Sequence, residues 1–256
     1  MQSKIAYEQP LNERIRFFLR LEHLFRIVAH RLKGPSEWDS RAALAGLIDI
    51  ADLLSRADVK TELIKELERN AATLARLKQN PGVDDDRLQA VLANVNDLLQ
   101  TLRHNSCLPA QRLRQNELTI AIKQRSAIPG GTCNFDIPAY YHWLHKPVEE
   151  RVADLNEWLT DLTVVHQGID LALQMIRSSA IPTQETAVNG FYQAPIEPNV
   201  TCQMIRIILP SAAECFPEVS GGKHRFSVRF LKQPTTDSRP VQTDEDIEFE
   251  LHCCIL

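Results

Sequence analysis

The spacing of apolar residues changes once along this chain of 256 residues. From Asn12 to about Ser178, apolar residues recur every three or four positions, a spacing that predicts amphipathic helices. From Pro182 onward, alternation of apolar and polar residues replaces that period and predicts strands. The change indicates an α+β protein with a helical domain at residues 1–181 and a small antiparallel β-sheet domain at residues 182–256.

Capping and breaking residues divide the helical part into segments. Asn12 is expected to cap the first helix, and Gly34 with Pro35 ends it. Asp136 is expected to cap a short helix, because Pro138 suits a first helical turn. Helices are predicted at residues 12–33, from Ser40 past Leu54, from Thr61 to about 80, from Asp84 to Leu102, at 111–125, at 139–144 and from Pro147 to about Ser178.

Alternation predicts three strands, at residues 202–209, 224–231 and 247–253. The apolar face of the second strand carries Phe226, Val228 and Phe230. Its polar face, extended back to the glycine turn, carries Lys223, Arg225, Ser227 and Arg229. We expect an antiparallel sheet that packs on the helices and has a basic outer face.

The overall composition limits the classes of function. Lys plus Arg number 29 against 33 Asp plus Glu, a formal net charge of −4, so binding of nucleic acid by the whole surface is not indicated. The sequence has no apolar run of the roughly 18 residues that a membrane span needs, and no apolar signal core near its start. We therefore expect a cytoplasmic protein whose six cysteines are reduced thiols.

Two sets of residues could carry chemistry, and neither has convincing spacing. Cys133 and His142 could form a nucleophile and base, but their stretch is better explained by a turn followed by a capped helix. His252, Cys253 and Cys254 could bind zinc, but adjacent residues on a strand face opposite sides of the sheet. We expect no catalytic residue, no metal and no cofactor.

Basic residues form the more informative pattern. On the first helix, Arg16 and Arg20 lie away from the apolar stripe. No acid lies between Gly221 and Lys232. Two alternatives to a protein-binding role stay open at this point. The strand arginines could pair with Glu248 and Glu250 across the sheet, or the basic strand face could bind nucleic acid, although its phenylalanines lie on the other side.

Several strings together resemble one protein family, the ZapD family of bacterial cell-division proteins. Their order and spacing match from the first helix to the last strand, so the resemblance covers nearly the whole chain. The strings are YEQPLNERIR, VKTELIKELER, PGVD, QRSAIPGGTCNFDIPAYYHWLHKP, NGFYQ and SGGKHRFSVRF.

The resemblance implies a function as well as a fold. Proteins of this family are cytoplasmic homodimers, not enzymes, with a helical domain and a β domain. They bind the C-terminal tail of FtsZ, the tubulin-like division GTPase, through a positively charged pocket. They bundle FtsZ protofilaments and promote assembly of the division ring at midcell. No cofactor, nucleic acid or membrane partner is implied.

The resemblance also implies site residues. Arg20, Arg225 and Arg229 stand at positions that match the family's basic pocket, with Lys223 beside them. With Arg16 and Lys232 added from the basic pattern of the helix and strand, we expect these six residues to contact the FtsZ tail. Two positions depart from the family pattern: Glu117 stands where a basic residue is expected, and Tyr141 stands where a histidine is expected. These two replacements predict a basic surface that is weaker, or centred on the strand and the first helix.

Overall fold

The predicted α+β fold is confirmed by a computed structural model, which describes residues 3–56, 58–77, 84–196, 201–222 and 224–255. The helices come first and the antiparallel sheets follow, apart from one strand at the start. The helices described are α1 Glu13–Arg31, α2 Glu37–Arg56, α3 Val59–Leu77, α4 Asp85–Arg103, α5 Gln111–Gln115, α6 Glu117–Arg125, α7 Pro138–Leu144, α8 Val148–Thr160 and α9 Thr163–Ser178. The strands are β1 Lys4–Pro10, β2 Thr183–Ala187, β3 Phe191–Pro195, β4 Met204–Pro210, β5 Cys215–Gly221, β6 Arg225–Lys232, β7 Val241–Gln242 and β8 Ile247–Cys254.

The chain forms two compact units. The helical unit is Phe17–Ala172, and the β unit is Met1–Arg16 together with Leu173–Leu256. This division differs from the predicted domain bounds because β1 pairs with β4, which brings the first residues into the β unit. The domain bounds 1–181 and 182–256 stay a prediction.

Side-chain caps explain several of the helix starts. Asn12 accepts a hydrogen bond from the backbone N–H of Ile15, as predicted. Asn116 accepts one from the N–H of Thr119, and this cap divides the predicted helix at 111–125 into α5 and α6. The predicted cap at Asp136 is wrong: Ile137 precedes α7, and Asp136 instead accepts a hydrogen bond from Nη1 of Arg125 at 2.9 Å.

The β unit contains two antiparallel sheets rather than one sheet on helices. The first has the strand order β1-β4-β8-β2, and the second has the order β3-β6-β5, with β7 paired to β6. The inward side chains of both sheets form one core, in which the rings of Phe230 and Phe249 lie 5.1 Å apart. The expectation of a single sheet is therefore corrected to two sheets. Each sheet has one apolar face, and the two apolar faces cover each other.

A charged cluster holds β1 in the β unit. Glu8 lies opposite Arg206 in the β1–β4 register, and its carboxylate accepts hydrogen bonds from Nε of Arg206 at 2.8 Å and from Nε and Nη2 of Arg177 at 2.8 and 2.7 Å. All three side chains are about four-fifths buried. Burial opposes ionisation of Glu8, but the two guanidinium groups outweigh it and hold the pKa of this carboxyl below its usual value.

We predict that Glu8→Gln destabilises the protein by about 3 kcal/mol at neutral pH, because two buried guanidinium groups lose their anion. The pKa of the Glu8 carboxyl is lower in the folded protein than in the unfolded chain, where it is near 4.5. The ionised carboxylate therefore adds to the free energy of unfolding above pH 4.5, and this contribution is lost as the pH falls through the folded-state pKa. Thermal unfolding at a series of pH values should show the wild type and the variant converging below about pH 4.5. If the stability of the two proteins changed in parallel with pH, the role assigned to Glu8 would be contradicted. Lys4→Gln is the control: it removes an exposed ion pair with Glu250 and should change the stability little.

Candidate functional site

The alternation predicted for β6 is present in the structure. Phe226 is 2% exposed, and Val228 and Phe230 are fully buried in the core between the sheets. Arg225 and Arg229 are exposed on the opposite, outer face. Lys223, the third predicted cation of this face, lies outside the described residues. The structure therefore places two of the six predicted site residues together on one surface.

Neighbouring strands add further residues to this outer face. In the strand register, Val188 lies opposite Phe191, Phe191 opposite Arg229, and Arg229 opposite Glu218. Directly opposed residues of antiparallel strands share a face, with Cβ atoms about 5 Å apart. We call these four residues the outer row. It runs across the strands from apolar to aromatic to cationic to anionic side chains.

The ion pair at the end of the outer row is loose. Nη2 of Arg229 lies 3.5 Å from Oε2 of Glu218, and both side chains are 57% exposed. An exposed pair of this kind contributes little to stability. Arg225 has no ion pair with any residue in the part of the chain that the structure describes. Both guanidinium groups are therefore available for an anionic partner.

The alternative of pairing with Glu248 and Glu250 is wrong. Both glutamates lie on β8, in the other sheet, whereas β6 pairs with β3, β5 and β7. The carboxylate of Glu250 instead contacts Lys4 at 2.8 Å and His252 at 2.6 Å. The predicted strand alternation could not identify which strands are neighbours.

Lys232 lies at the end of β6 but not on the outer face. Its register partner is Cys215, a buried residue, so it belongs to the other side of the strand. Its Nζ contacts Oε1 of Glu245 at 2.7 Å, and this hydrogen bond raises the pKa of the amine. Lys232 is thus separated from Arg225 and Arg229 and is already paired with an acid.

The predicted cations of α1 fall into both units. Arg16 belongs to the β unit, where its Nε lies 3.5 Å from Oε1 of Glu13. Arg20 is exposed in the helical unit and lines a groove with His23, Leu24, Asp49, Asp52 and Leu53. The groove is not purely basic, because two of its residues are aspartates. Burial, followed by the nearby charge of Asp52, raises the pKa of Asp49.

The residues considered for catalysis and zinc binding have other contacts. Sγ of Cys133 donates a hydrogen bond to the carbonyl oxygen of Gly130 at 2.7 Å. Cys254 is buried, whereas Cys253 is only partly buried. Among the described residues, no group of three or more His, Cys, Asp or Glu side chains is arranged to hold a metal ion.

The phenylalanines of β6 do not form a base-stacking surface. Phe226 and Phe230 are buried on the inner side of the sheet, so nucleic-acid bases would meet Arg225, Ser227 and Arg229 without those rings. No helix in the described ranges is both long and apolar enough to cross a membrane.

Comparison with known proteins identifies the family. The model of the ZapD family, described as a cell division protein, matches residues 19–229. Cell division protein ZapD of Methylococcus capsulatus is 43% identical over 256 residues, which is all of both chains. The proteins of that name from Azoarcus sp. and Coxiella burnetii are 38% and 36% identical, over 98% of this chain and 100% and 97% of theirs.

This chain belongs to the ZapD family. It therefore has a role in cell division. The relatives carry names of cell division proteins and not of enzymes. The resemblance inferred from the sequence strings is confirmed, and it extends over the full chain.

The two departures from the ZapD pattern lie on the surface of the helical unit. Glu117 is exposed in the first turn of α6. Tyr141 is 46% exposed on α7, and its ring lies 4.2 Å from the ring of His145. An acid and a tyrosine thus stand where a basic residue and a histidine were expected.

The apolar members of the outer row, Val188 and Phe191, were not predicted from the sequence. Both are exposed, by 58% and 42%. The available signal was the string NGFYQ, whose Asn-Gly pair predicts a tight turn directly before Phe191. Nothing in that string indicates that Phe191 pairs with Arg229, because the pairing joins residues 38 positions apart in this ZapD-family chain.

We predict that Arg225→Glu leaves the thermal midpoint within about 2 °C of the wild type, because an exposed side chain without a described ion pair contributes little to stability. Differential scanning calorimetry measures this directly. A fall of several degrees would mean that Arg225 has a structural partner. Glu8→Gln, measured alongside, provides the contrasting loss from a buried ion cluster.

Proposed function

We propose that this chain binds the C-terminal tail of FtsZ and, as a homodimer, cross-links FtsZ protofilaments into bundles that promote ring assembly at midcell. The outer face of β6 is the proposed contact, with Arg225 and Arg229 at its centre. The observation that supports it most is the exposure of two guanidinium groups on a surface where the acid opposite Arg229, Glu218, is only loosely paired. Lys223 and Arg16 are proposed to add to this contact, and Arg20, in the helical unit, is proposed to contact the tail separately. Lys232 is left out of the contact, because it lies on the other side of β6 and is paired with Glu245.

Arginine suits the proposed partner chemically. A guanidinium group can donate two parallel hydrogen bonds to a carboxylate, which a lysine ammonium cannot do. Charge attraction also speeds the capture of a flexible peptide tail, since steering does not require the tail to be ordered beforehand. Two arginines four positions apart on a strand lie about 13 Å apart, a distance that an extended peptide of four or five residues covers.

Bundling requires two binding sites in one particle. A two-fold dimer supplies them by using the same surface twice. Each contact can be weak, because many copies along a pair of filaments add avidity. This requirement, together with the family's cell-division role, favours a cytoplasmic bridging protein that works without a catalytic residue or cofactor.

The double variant Arg225→Glu, Arg229→Glu should nearly abolish bundling, because it places two acids where carboxylates are proposed to bind. Each single change should weaken binding by roughly fivefold, about 1 kcal/mol. Sedimentation with polymerised FtsZ measures bundling, and the binding should weaken as salt rises through about 0.15 M, where screening shortens to roughly 8 Å.

The matched control for this experiment is Arg239→Glu, which makes the same charge change at an exposed position between β6 and β7 that is not part of the outer row. It should bundle FtsZ almost as the wild type does. A folded double variant that bundles normally would refute the proposed site. A gel-shift assay with single-stranded DNA, run with the same proteins, tests nucleic-acid binding as the alternative.

We also predict that the protein is a dimer at the concentrations at which it bundles filaments. A monomer with one tail site cannot bridge two protofilaments, so the mass in solution should be about twice the chain mass of 29.1 kDa. Light scattering after size-exclusion chromatography measures it. A monomer that still bundles FtsZ would contradict this part of the proposal.

A further inference from the structure

Two large apolar side chains are exposed beside the arginines. Val188 and Phe191 face each other across the turn that joins β2 to β3, and Phe191 also lies opposite Arg229. A single exposed apolar residue on a protein surface is ordinary. Here two of them adjoin each other and continue directly into the cation of the outer row, which makes a mixed apolar and basic surface.

The turn that carries this surface is firmly fixed. Asn189 and Gly190 both have positive φ angles, 50° and 68°, as a two-residue type I′ turn requires. A Cβ at Gly190 would lie 2.5 Å from the carbonyl oxygen of Thr243, so only glycine fits. The N–H of Phe230 donates to the carbonyl of Gly190 at 2.8 Å, and the N–H of Asn189 donates to Asp246 at 2.9 Å.

A fixed backbone matters for binding. An exposed aromatic side chain on a rigid strand loses little conformational freedom when a partner covers it. Phe191 has this setting, because strand pairing to β6 and the anchored turn hold its backbone on both sides. Its ring is already presented to solvent, so a partner would not have to reorganise the sheet to reach it.

We infer that Phe191, with Val188, forms an apolar anchor that works together with Arg229 in binding an acidic peptide. The inference rests on the proposed function and specifies the peptide chemistry that this site takes. The bound segment carries a large apolar side chain close to a carboxylate: the carboxylate contacts Arg229, and the apolar side chain covers Phe191 and Val188.

The strand register sets the spacing of the two features. Phe191 and Arg229 are direct cross-strand neighbours, about 5 Å apart at Cβ. An extended peptide spaces alternate side chains by about 6–7 Å, and one turn of helix gives a similar distance. The acid and the apolar residue are therefore within four positions of each other. Arginine provides attraction at a distance, and the apolar contact slows dissociation.

The experiment measures binding of a fluorescently labelled peptide, the C-terminal tail of FtsZ from the same cell, to the full chain. Phe191→Thr keeps a residue that favours strands, and Val188→Thr keeps the side-chain shape while removing apolarity. Val241→Thr is the matched control, since Val241 is 65% exposed on β7, opposite Lys232 rather than an outer-row residue.

We expect Phe191→Thr to weaken binding about 5- to 10-fold and Val188→Thr about 2- to 3-fold, with Val241→Thr unchanged. The salt dependence should stay as in the wild type for Phe191→Thr, because no charge is lost, and should flatten for Arg229→Gln. Replacing the tail's apolar residues by alanine one at a time should identify one position whose loss has no further effect in Phe191→Thr.

Each outcome separates the two proposals. If Phe191→Thr and Val188→Thr bind within twofold of the wild type while Arg225→Glu, Arg229→Glu does not bind, the apolar anchor is refuted and the proposed function stands. If the double arginine variant binds normally, or the wild type does not bind the tail, both are refuted. Should Phe191→Thr fail to fold, Val188→Thr and its salt dependence decide the question.

Discussion

The alternation of buried apolar and exposed polar residues along β6 is the constraint on which the proposed binding surface depends. Phe226, Val228 and Phe230 are committed to the core between the two sheets, and a strand has only two faces. The residues that alternate with them are therefore forced outward, so Arg225 and Arg229 are exposed for the same reason that the phenylalanines are buried. A shift of one residue in register would bury both arginines, which makes the position of the basic surface as stable as the core itself.

The β unit also depends on contacts that are distant in sequence. β1 is held by pairing to β4 and by the Glu8 carboxylate, which joins Arg206 on the neighbouring strand to Arg177 on α9. A carboxylate shared by two buried guanidinium groups is destabilising unless all three are hydrogen-bonded, and here they are. The cluster thereby fixes the start of the chain to its last third, although Glu8 and Arg177 are 169 positions apart in the sequence.

The parts of the fold that could be predicted are those with a long or strict local pattern. Apolar residues spaced by three or four positions predicted the main helices, and apolar and polar residues alternate clearly along β6 and β8. β5 was missed because Pro217 and Gly221 interrupt it, and β1 because its outer residues, such as Ile5 at 42% exposed, do not alternate in burial. For the site, the arginines could be found from local alternation. Phe191 could not, because its role depends on the strand beside it, and strand neighbours are a long-range property.

The electrostatic character of the chain differs between its two units, and this bears on how a tail would be recognised. In the helical unit, Arg20 shares a groove with Asp49 and Asp52, and Asp52 also forms an ion pair with Lys123. Glu117 and Tyr141 add no basic side chain to the surface of this unit. In the β unit, Arg225 and Arg229 have only Glu218 as a described acidic neighbour on their sheet face. A surface with only two exposed arginines can gain further affinity for a peptide only from contacts of another kind. An apolar contact can supply that affinity, because salt does not screen it and nearby carboxylates such as Glu218 do not compete for it. The outer row places such a contact directly beside the remaining cation.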